Sequence, residues 1–222
     1  MMSFKVFLVV AFSCTSYTHA ATTPCLGPPD RLPAWACILC GPNTDQCLPY
    51  NATFDDIQAG KPVGNYNDVT WTNFIVENAR ASSNKDHLVP YSAPNLARLP
   101  AGQEGTMITK GGELIYDFHY GCTTPAATVL ALKKPVAPTS CIVSLSGLCS
   151  YDRAHATPQR WSFNFNTTCR PQTQLNGYDK SHGYVGPGYG ACANFTWSAT
   201  APNGGPVDLY LDEVIYKRVP YW

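Results

Sequence analysis

The chain has 222 residues, and its 15 lysines and arginines balance its 15 aspartates and glutamates, so the formal net charge at pH 7 is zero. Nucleic acids and anionic membranes select a basic surface, and the neutral chain excludes them as expected partners. The 19 prolines and 17 glycines also argue against long helices.

The amino terminus has the pattern of a secretory signal peptide. A short cationic start, Met1–Lys5, precedes the apolar run Val6–Phe12, and Thr18–Ala20 supplies the small residues that a signal peptidase accepts. The apolar run is much shorter than the roughly 20 residues that cross a bilayer. We predict a signal peptide over residues 1–20, a mature chain that begins at Ala21, and a secreted, extracellular protein without a membrane span.

Residues 21–48 form the next predicted segment, which is rich in proline and cysteine. Its prolines and its weak apolar periodicity leave it without a core of its own, so disulfides or docking must order it. Cys37 and Cys40 could form half of a zinc site or a redox pair. No second Cys-x-x-Cys or histidine pair accompanies them, and a structural disulfide is the favoured interpretation.

Cysteine usage agrees with an oxidising compartment. One of the ten cysteines, Cys14, lies in the signal peptide and nine remain. Most of the nine should pair, but an odd number leaves at least one free or bonded to another molecule, and the spacing does not identify it. The predicted disulfide cysteines are Cys25, Cys37, Cys40, Cys47, Cys122, Cys141, Cys149, Cys169 and Cys192.

Three N-glycosylation sequons are present beyond the signal peptide. They begin at Asn51, Asn166 and Asn194, each followed two residues later by threonine. This motif can accept an N-glycan in the secretory pathway, so the sequence predicts a glycoprotein that is modified at these three asparagines.

Residues 49–222 are predicted to form one all-β domain. Short runs of β-branched and aromatic residues alternate with glycine, proline and asparagine, and about nine strands suit a single β-sandwich. The predicted strands are Ala52–Ile57, Val69–Glu77, Thr106–Thr109, Glu113–Tyr120, Ala127–Lys133, Ser140–Ser146, Arg160–Asn166, Ala193–Ser198 and Val207–Arg218.

Two of these strands alternate in a way that predicts one buried face. In Arg160–Asn166 three aromatic residues alternate with serine and asparagine. In Glu113–Tyr120 the residues expected on one face, the buried one, are Leu114, Tyr116, Phe118 and Tyr120. Those expected on the opposite face are Ile115, Asp117 and His119.

Three segments, Thr53–Ile57, Tyr66–Asn78 and Val207–Tyr216, resemble the first, second and last strands of small secreted fungal proteins. Those proteins have a jelly-roll fold similar to galactose-binding-like and carbohydrate-binding modules. The resemblance covers both ends of the domain and not the region Cys122–Cys192, so it does not supply a ligand. It implies a single jelly-roll-type β-sandwich, with its first and last strands side by side, behind the disulfide-rich N-terminal extension.

The same resemblance implies a structural calcium ion where the first and last strands meet. The candidate ligands are Asp55, Asp56, Asp212 and Glu213. Carboxylates and loop carbonyls suit calcium, but neighbouring residues of a strand point to opposite faces, so one acid of each pair is preferred: Asp55 and Asp212. The favoured interpretation is that one acid of each pair is only solvent-exposed or ends a strand.

Tyrosines in the glycine-rich segment 178–189 are the candidate ligand-binding residues. Aromatic faces stack on sugar rings, and aromatic residues on a loop are less often part of the core. Tyr178, Tyr184 and Tyr189 are therefore predicted to bind a glycan or a cell-wall polysaccharide. Trp71, Trp161 and Trp197 are further aromatic candidates, but they lie in the middle of predicted strands and suit the core better.

The preferred function is a secreted, non-catalytic glycan- or cell-wall-binding protein. One alternative is an effector or structural protein that binds a protein partner. The other is a small extracellular polysaccharide-active enzyme, because Asp117 and His119 share a strand face near Tyr116 and Tyr120. No Gly-x-Ser-x-Gly, His-Glu-x-x-His or phosphate-loop motif is present, a pair of glycosidase carboxylates stays open, and no catalytic residue is assigned.

Overall fold

The computed structural model of the chain describes seven stretches, which are residues 50–79, 88–109, 111–125, 136–150, 155–167, 175–178 and 191–219. The predicted signal peptide, the extension 21–48, the predicted strand Ala127–Lys133, Tyr184, Tyr189 and Cys169 lie outside them. None of the described residues forms a helix that is long and apolar enough to cross a membrane.

The described residues form eleven β-strands and no α-helix. The strands are β1 Tyr50–Ala52, β2 Pro62–Tyr66, β3 Val69–Asn78, β4 Asn95–Leu99, β5 Gly105–Thr109, β6 Gly112–Thr123, β7 Cys141–Ser150, β8 Thr157–Phe165, β9 Asn176–Tyr178, β10 Ala191–Thr200 and β11 Asp208–Val219.

The strands join in one antiparallel sheet in the order β8-β7-β10-β5-β3-β4-β11-β6-β9, while β1 pairs with β11 and β2 pairs with β3. Strand β10 also pairs with β6, through Cys192 and Glu113, so the sheet curls and closes a ring of six strands. The apolar side chains fill the space inside this curled sheet. The predicted all-β sandwich class is confirmed, and the first and last strands of the described residues, β1 and β11, lie side by side.

Seven of the nine predicted strands match observed strands over most of their length. The prediction of a strand over Ala52–Ile57 is wrong, because β1 ends at Ala52 and the chain then turns. Phe54 has φ 62°, and the Ile57 amide donates to the Phe54 carbonyl at 3.2 Å. The turn places the Phe54 ring inside the core with no exposed surface, and burying such a ring stabilises the fold by about 1.5–3 kcal/mol.

Edge-to-face aromatic contacts order the core. Trp71 contacts Phe54 at a centroid distance of 5.4 Å and Phe74 at 5.5 Å, both nearly perpendicular. Phe118 makes the same kind of contact with Trp197 at 5.1 Å. Trp71 and Trp197 are 2% and 0% exposed, which agrees with their expected place in the core.

Strand β6 departs from its predicted alternation. Phe118 and Tyr120 are buried as expected, but Ile115, expected on the opposite face, has no exposed surface. The register between β6 and β11 shifts on both sides of Ile215. The alternation of β6 is therefore interrupted near residue 116, so that Ile115 faces the core before this point and Phe118 and Tyr120 face it afterwards. The side chains of Leu114 and Tyr116 lie outside the described residues. In β8 the predicted alternation is confirmed, since residues 162 and 164 are exposed and Phe165 is buried.

Two disulfides connect the strands that enclose the core. Cys122 of β6 is bonded to Cys141 of β7, and Cys149 of β7 is bonded to Cys192 of β10. Cys149 and Cys192 are also direct partners in the β7–β10 register. The other predicted disulfide cysteines lie outside the described residues.

Candidate functional site

Strands β1, β6 and β11 bring polar side chains together on one part of the surface. In the register, His119 faces Asp212, and Asn51 faces Ile215. The register of β11 is irregular between Asp212 and Ile215, and Glu213, within that interval, has φ 46°. This irregularity breaks the strict alternation of β11 and lets consecutive acidic residues take different roles.

Tyr91, in the segment before β4, covers His119. The two ring centroids are 3.8 Å apart and the rings are inclined by only 13°, yet Tyr91 is 67% exposed. The tyrosine ring is thus held by stacking while much of its surface faces solvent. We call Tyr91, His119, Glu213 and Asn51 the Tyr91 surface.

Glu213 connects the other members of the Tyr91 surface. Its Oε2 lies 3.6 Å from Nδ1 of His119, and its Oε1 accepts a hydrogen bond from Nδ2 of Asn51 at 3.3 Å. Amide, imidazole and carboxylate groups therefore stand next to an exposed aromatic ring. Such a set can donate and accept hydrogen bonds to hydroxyl groups while the ring offers an apolar face.

Asp212, which is buried beside this surface, holds the segment that carries Tyr91. The backbone N–H of Ser92 donates to Oδ2 and the Ser92 hydroxyl donates to Oδ1, both at 2.7 Å. The Glu213 N–H donates to Oδ1 at 2.8 Å. Burial raises the pKa of Asp212 to about 6, although the hydrogen bonds from Ser92, Glu213 and Tyr91 act in the opposite direction.

The predicted calcium ligands Asp55 and Asp212 both bind backbone in the segment 92–95. Oδ1 of Asp55 accepts a hydrogen bond from the Asn95 N–H at 2.8 Å, and both oxygens of Asp212 are occupied by donors. Hydrogen-bond donors that point at these oxygens compete with a cation, so the two residues do not fit calcium well. Asp56 is exposed.

Across the seven described stretches, no group of three or more His, Cys, Asp or Glu side chains is placed to hold a metal ion. A structural calcium ion bound by Asp55 and Asp212 stays a prediction. What these carboxylates do in the structure is fasten the chain between Ser92 and Asn95, ahead of β4.

The predicted ligand-binding tyrosines have one member among the described residues. Tyr178 ends β9, where its backbone pairs with Phe118, and the preceding Gly177 pairs with His119. Strand β9 therefore runs beside the part of β6 that carries His119. The segment that follows Tyr178, with Tyr184 and Tyr189, starts from this strand, and the binding role of the three tyrosines stays a prediction.

The three sequon asparagines are all exposed. Asn51 lies in β1, Asn166 follows β8, and Asn194 lies in β10 with φ 52°. Exposure is what an acceptor asparagine needs, and the occupancy of these positions stays a prediction.

Sequence reasoning singled out His119, Asp212 and Glu213 separately and missed Tyr91. Their association depends on the pairing of β6 with β11, which are far apart in the chain. One signal was available for Tyr91: it is an aromatic residue between Pro90 and Pro94, in a short segment without strand alternation, where an aromatic side chain is often exposed.

No protein-family model matches the chain, and no curated protein matches it. Among solved structures, the chain is similar to the Clostridium thermocellum endo-1,4-beta-D-xylanase 10B modules CBM22-1 and GH10, complexed with xylohexaose. The match has 13% identity and a TM-score of 0.39, and covers 78% of this chain and 28% of that one. The chain thus spans less than a third of that protein.

A second similar structure is the CBM22-2 xylan-binding domain of Paenibacillus barcinonensis Xyn10C, with 13% identity and a TM-score of 0.34. That match covers 76% of this chain and 98% of the domain. At these scores neither likeness carries an argument about ligand or activity, which must come from the residues themselves.

Proposed function

We propose that the protein is a secreted, non-catalytic glycan- or cell-wall-binding protein and that the Tyr91 surface contacts the sugar. The observation that carries the proposal is the Tyr91 ring, which is 67% exposed and stacked on His119. An exposed ring that is already held in place loses little conformational freedom when a pyranose ring packs on it. Glu213 and Asn51 stand where they can accept and donate hydrogen bonds to the sugar hydroxyls.

The charge of the chain supports an uncharged glycan as the ligand. Without Lys5 of the predicted signal peptide, the chain has 14 lysines and arginines against 15 aspartates and glutamates, so its net charge gives it little long-range attraction for a polyanion or a polycation. Recognition by stacking and by hydrogen bonds to hydroxyl groups needs no net charge. A neutral polysaccharide is therefore the proposed ligand class.

Binding is favoured over catalysis by the burial of the imidazole. The His119 side chain is only 13% exposed and lies under Tyr91. A general acid or base must reach the proton that it transfers, directly or through one water molecule. The geometry instead suits a histidine that supports the tyrosine ring.

The test is binding of the disulfide-intact protein to a panel of glycans and cell-wall polysaccharides. We expect Tyr91→Ala to weaken binding at least about tenfold, or about 1.4 kcal/mol, because the ring is the main apolar contact. Ile108→Ala is the matched control, since Ile108 is 43% exposed on β5, which pairs with β3 and β10 and not with the strand β6 that carries His119. Equal affinity of the wild type and Tyr91→Ala, or no binding to any glycan, would contradict the proposal.

A protein partner is the second candidate, and one observation favours it. Val89 is 52% exposed two residues before Tyr91, so apolar and aromatic side chains of one segment face solvent together. Exposed apolar groups of this kind occur at protein interfaces. If no glycan binds, the search turns to a protein partner, and Val89→Ala and Tyr91→Ala should each weaken its binding.

A further inference from the structure

The sequon asparagine Asn51 is itself a member of the Tyr91 surface. Its Nδ2, the atom to which an N-glycan is attached, donates to Oε1 of Glu213 at 3.3 Å. Glu213 contacts His119, and His119 stacks on Tyr91. Only Glu213 and His119 therefore lie between the attachment atom of a glycan on Asn51 and the exposed ring.

The position of Asn51 does not depend on its amide nitrogen. Its backbone pairs with Ile215 of β11, and its carbonyl accepts a hydrogen bond from Nδ2 of Asn67 at 3.0 Å. The preceding residue, Tyr50, stacks on Tyr216 at a centroid distance of 5.5 Å. The attachment point is held by contacts that glycosylation leaves unchanged, and the first sugar would always start from the same place.

We propose that an N-glycan on Asn51 lies over the Tyr91 surface of the same molecule and regulates the access of external glycans. This regulation rests on the glycan-binding function proposed above. The oligosaccharide comes from a lipid pyrophosphate donor: a bond forms between sugar C1 and Nδ2, the bond from C1 to the phosphate oxygen breaks, and Nδ2 loses one proton. The remaining N–H can still donate to Glu213.

Attachment makes even a weak contact effective. A tethered group reaches its site at an effective concentration in the millimolar range, without the cost of bringing two molecules together. We take an effective concentration of ~1 mM for the Asn51 glycan and a dissociation constant between ~0.1 and ~1 mM for its contact with the Tyr91 surface. The fraction of molecules in which this surface is free for an external glycan then falls about two- to tenfold. An external glycan has to compete with this internal one.

The first experiment measures the access of a small reagent to Tyr91 and needs no external ligand. The protein is produced in a eukaryotic host that N-glycosylates, and nitration of the Tyr91 peptide by tetranitromethane is followed by mass spectrometry. We expect nitration to be about two- to tenfold slower in the intact glycoprotein than in Asn51→Gln or in protein trimmed to one N-acetylglucosamine.

Two variants serve as controls for this measurement. Thr53→Ala removes the sequon and keeps the Asn51 side chain, so it should nitrate as fast as Asn51→Gln. Asn194→Gln removes a sequon on β10, whose partners there are β5 and β7, and should leave the rate at Tyr91 unchanged. Equal rates in intact glycoprotein and Asn51→Gln, or an unmodified Asn51 in the secreted protein, would overturn the proposal.

The second experiment measures the affinity of the same forms for the polysaccharide that the glycan panel identifies. Thr53→Ala, which lacks the sequon and keeps the Asn51 side chain, should bind about two- to tenfold more tightly than the intact glycoprotein, and Asn194→Gln should not. If Thr53→Ala binds no glycan at all, the proposed function fails. The nitration experiment still tests the contact between the Asn51 glycan and Tyr91. Slower nitration of Tyr91 in the intact glycoprotein than in Asn51→Gln supports the contact, and equal nitration rates refute it.

Discussion

Asp212 shows how one buried carboxylate can position an exposed binding group. It has no exposed surface, and it accepts hydrogen bonds from the N–H and the hydroxyl of Ser92. Ser92 follows Tyr91 directly, so the carboxylate limits where the tyrosine ring can lie. Hydrogen bonds to a charged group are worth about 1.5–3 kcal/mol each, which offsets part of the cost of burying the charge.

Asp212 should make the stability of the protein depend on pH. Its pKa is raised from 3.8 to about 6, so the folded state holds the proton more tightly than the unfolded state. The resulting stabilisation is complete below pH ~4 and is lost as the pH rises through about 6, a difference of about 3 kcal/mol. Urea unfolding between pH 4 and 7 should show this loss, and Asp212→Asn should remove it. The same pH dependence in both proteins would contradict the assignment.

The candidate site could be predicted only in part. His119 was recognisable from the alternation of its strand, and Asp212 and Glu213 were singled out by the resemblance to jelly-roll proteins. The stacking of Tyr91 on His119 was not recognisable, because the two residues are 28 positions apart in the chain and meet only in the folded protein. The irregular register around Glu213 has no local sequence signal of this kind.

Among the elements, β5 shows how closely neighbouring strands pack. A Cβ atom added at Gly105 would lie 2.4 Å from Cε2 of Phe74 and 3.0 Å from Cδ1 of Leu99. Phe74 and Leu99 are 0% and 1% exposed, so neither side chain can move outward. Glycine at residue 105 therefore allows β5 to approach the core at the beginning of the strand.

Gly105→Ala should destabilise the protein by about 1–3 kcal/mol, because the added methyl group overfills a packed interior. Gly111→Ala is the matched control, since a Cβ atom there meets nothing within 4 Å. Thermal unfolding of both variants tests the prediction: the first should lower the midpoint by several degrees, and the second should change it little. A Gly105→Ala protein as stable as the wild type would show that Phe74 can rearrange.

Sequence reasoning missed β2, β4 and β9, and two of these, β2 and β9, depend on their partners. Strand β2 begins with a proline and contains Gly64 with φ 63°, and β9 has only three residues. Neither shows a run of β-branched or aromatic residues. They become strands because β3 and β6 offer unsatisfied backbone groups along their edges, which is a tertiary effect.

At the scale of the whole molecule, the all-β class followed from composition and alternation, whereas the strand order did not. Alternation in β8 is a local property and was read correctly. The closure of the ring joins Cys192 to Glu113, two residues whose pairing depends on every intervening strand. Long-range pairing of this kind leaves no periodic signal in the chain.

The two disulfides should stabilise the fold unequally. They close loops with sequence separations of 19 residues for Cys122–Cys141 and 43 for Cys149–Cys192. In the chain-entropy model these loops correspond to about 3 and about 4 kcal/mol. Urea unfolding of the two double cysteine-to-serine variants should therefore show a loss about 1 kcal/mol larger for Cys149–Cys192, and the reverse order would contradict this account.

The residue that closes the ring, Cys192, is also a disulfide partner, and this makes the shape of the sheet sensitive to redox conditions. Cys192 pairs with Glu113 on one side and is bonded to Cys149 on the other. Reduction would remove the covalent link that keeps β10 in register where it meets β6. An opened sheet would present unpaired strand edges, which associate readily with other chains. Formation of the Cys149–Cys192 disulfide would thus protect the protein from aggregation.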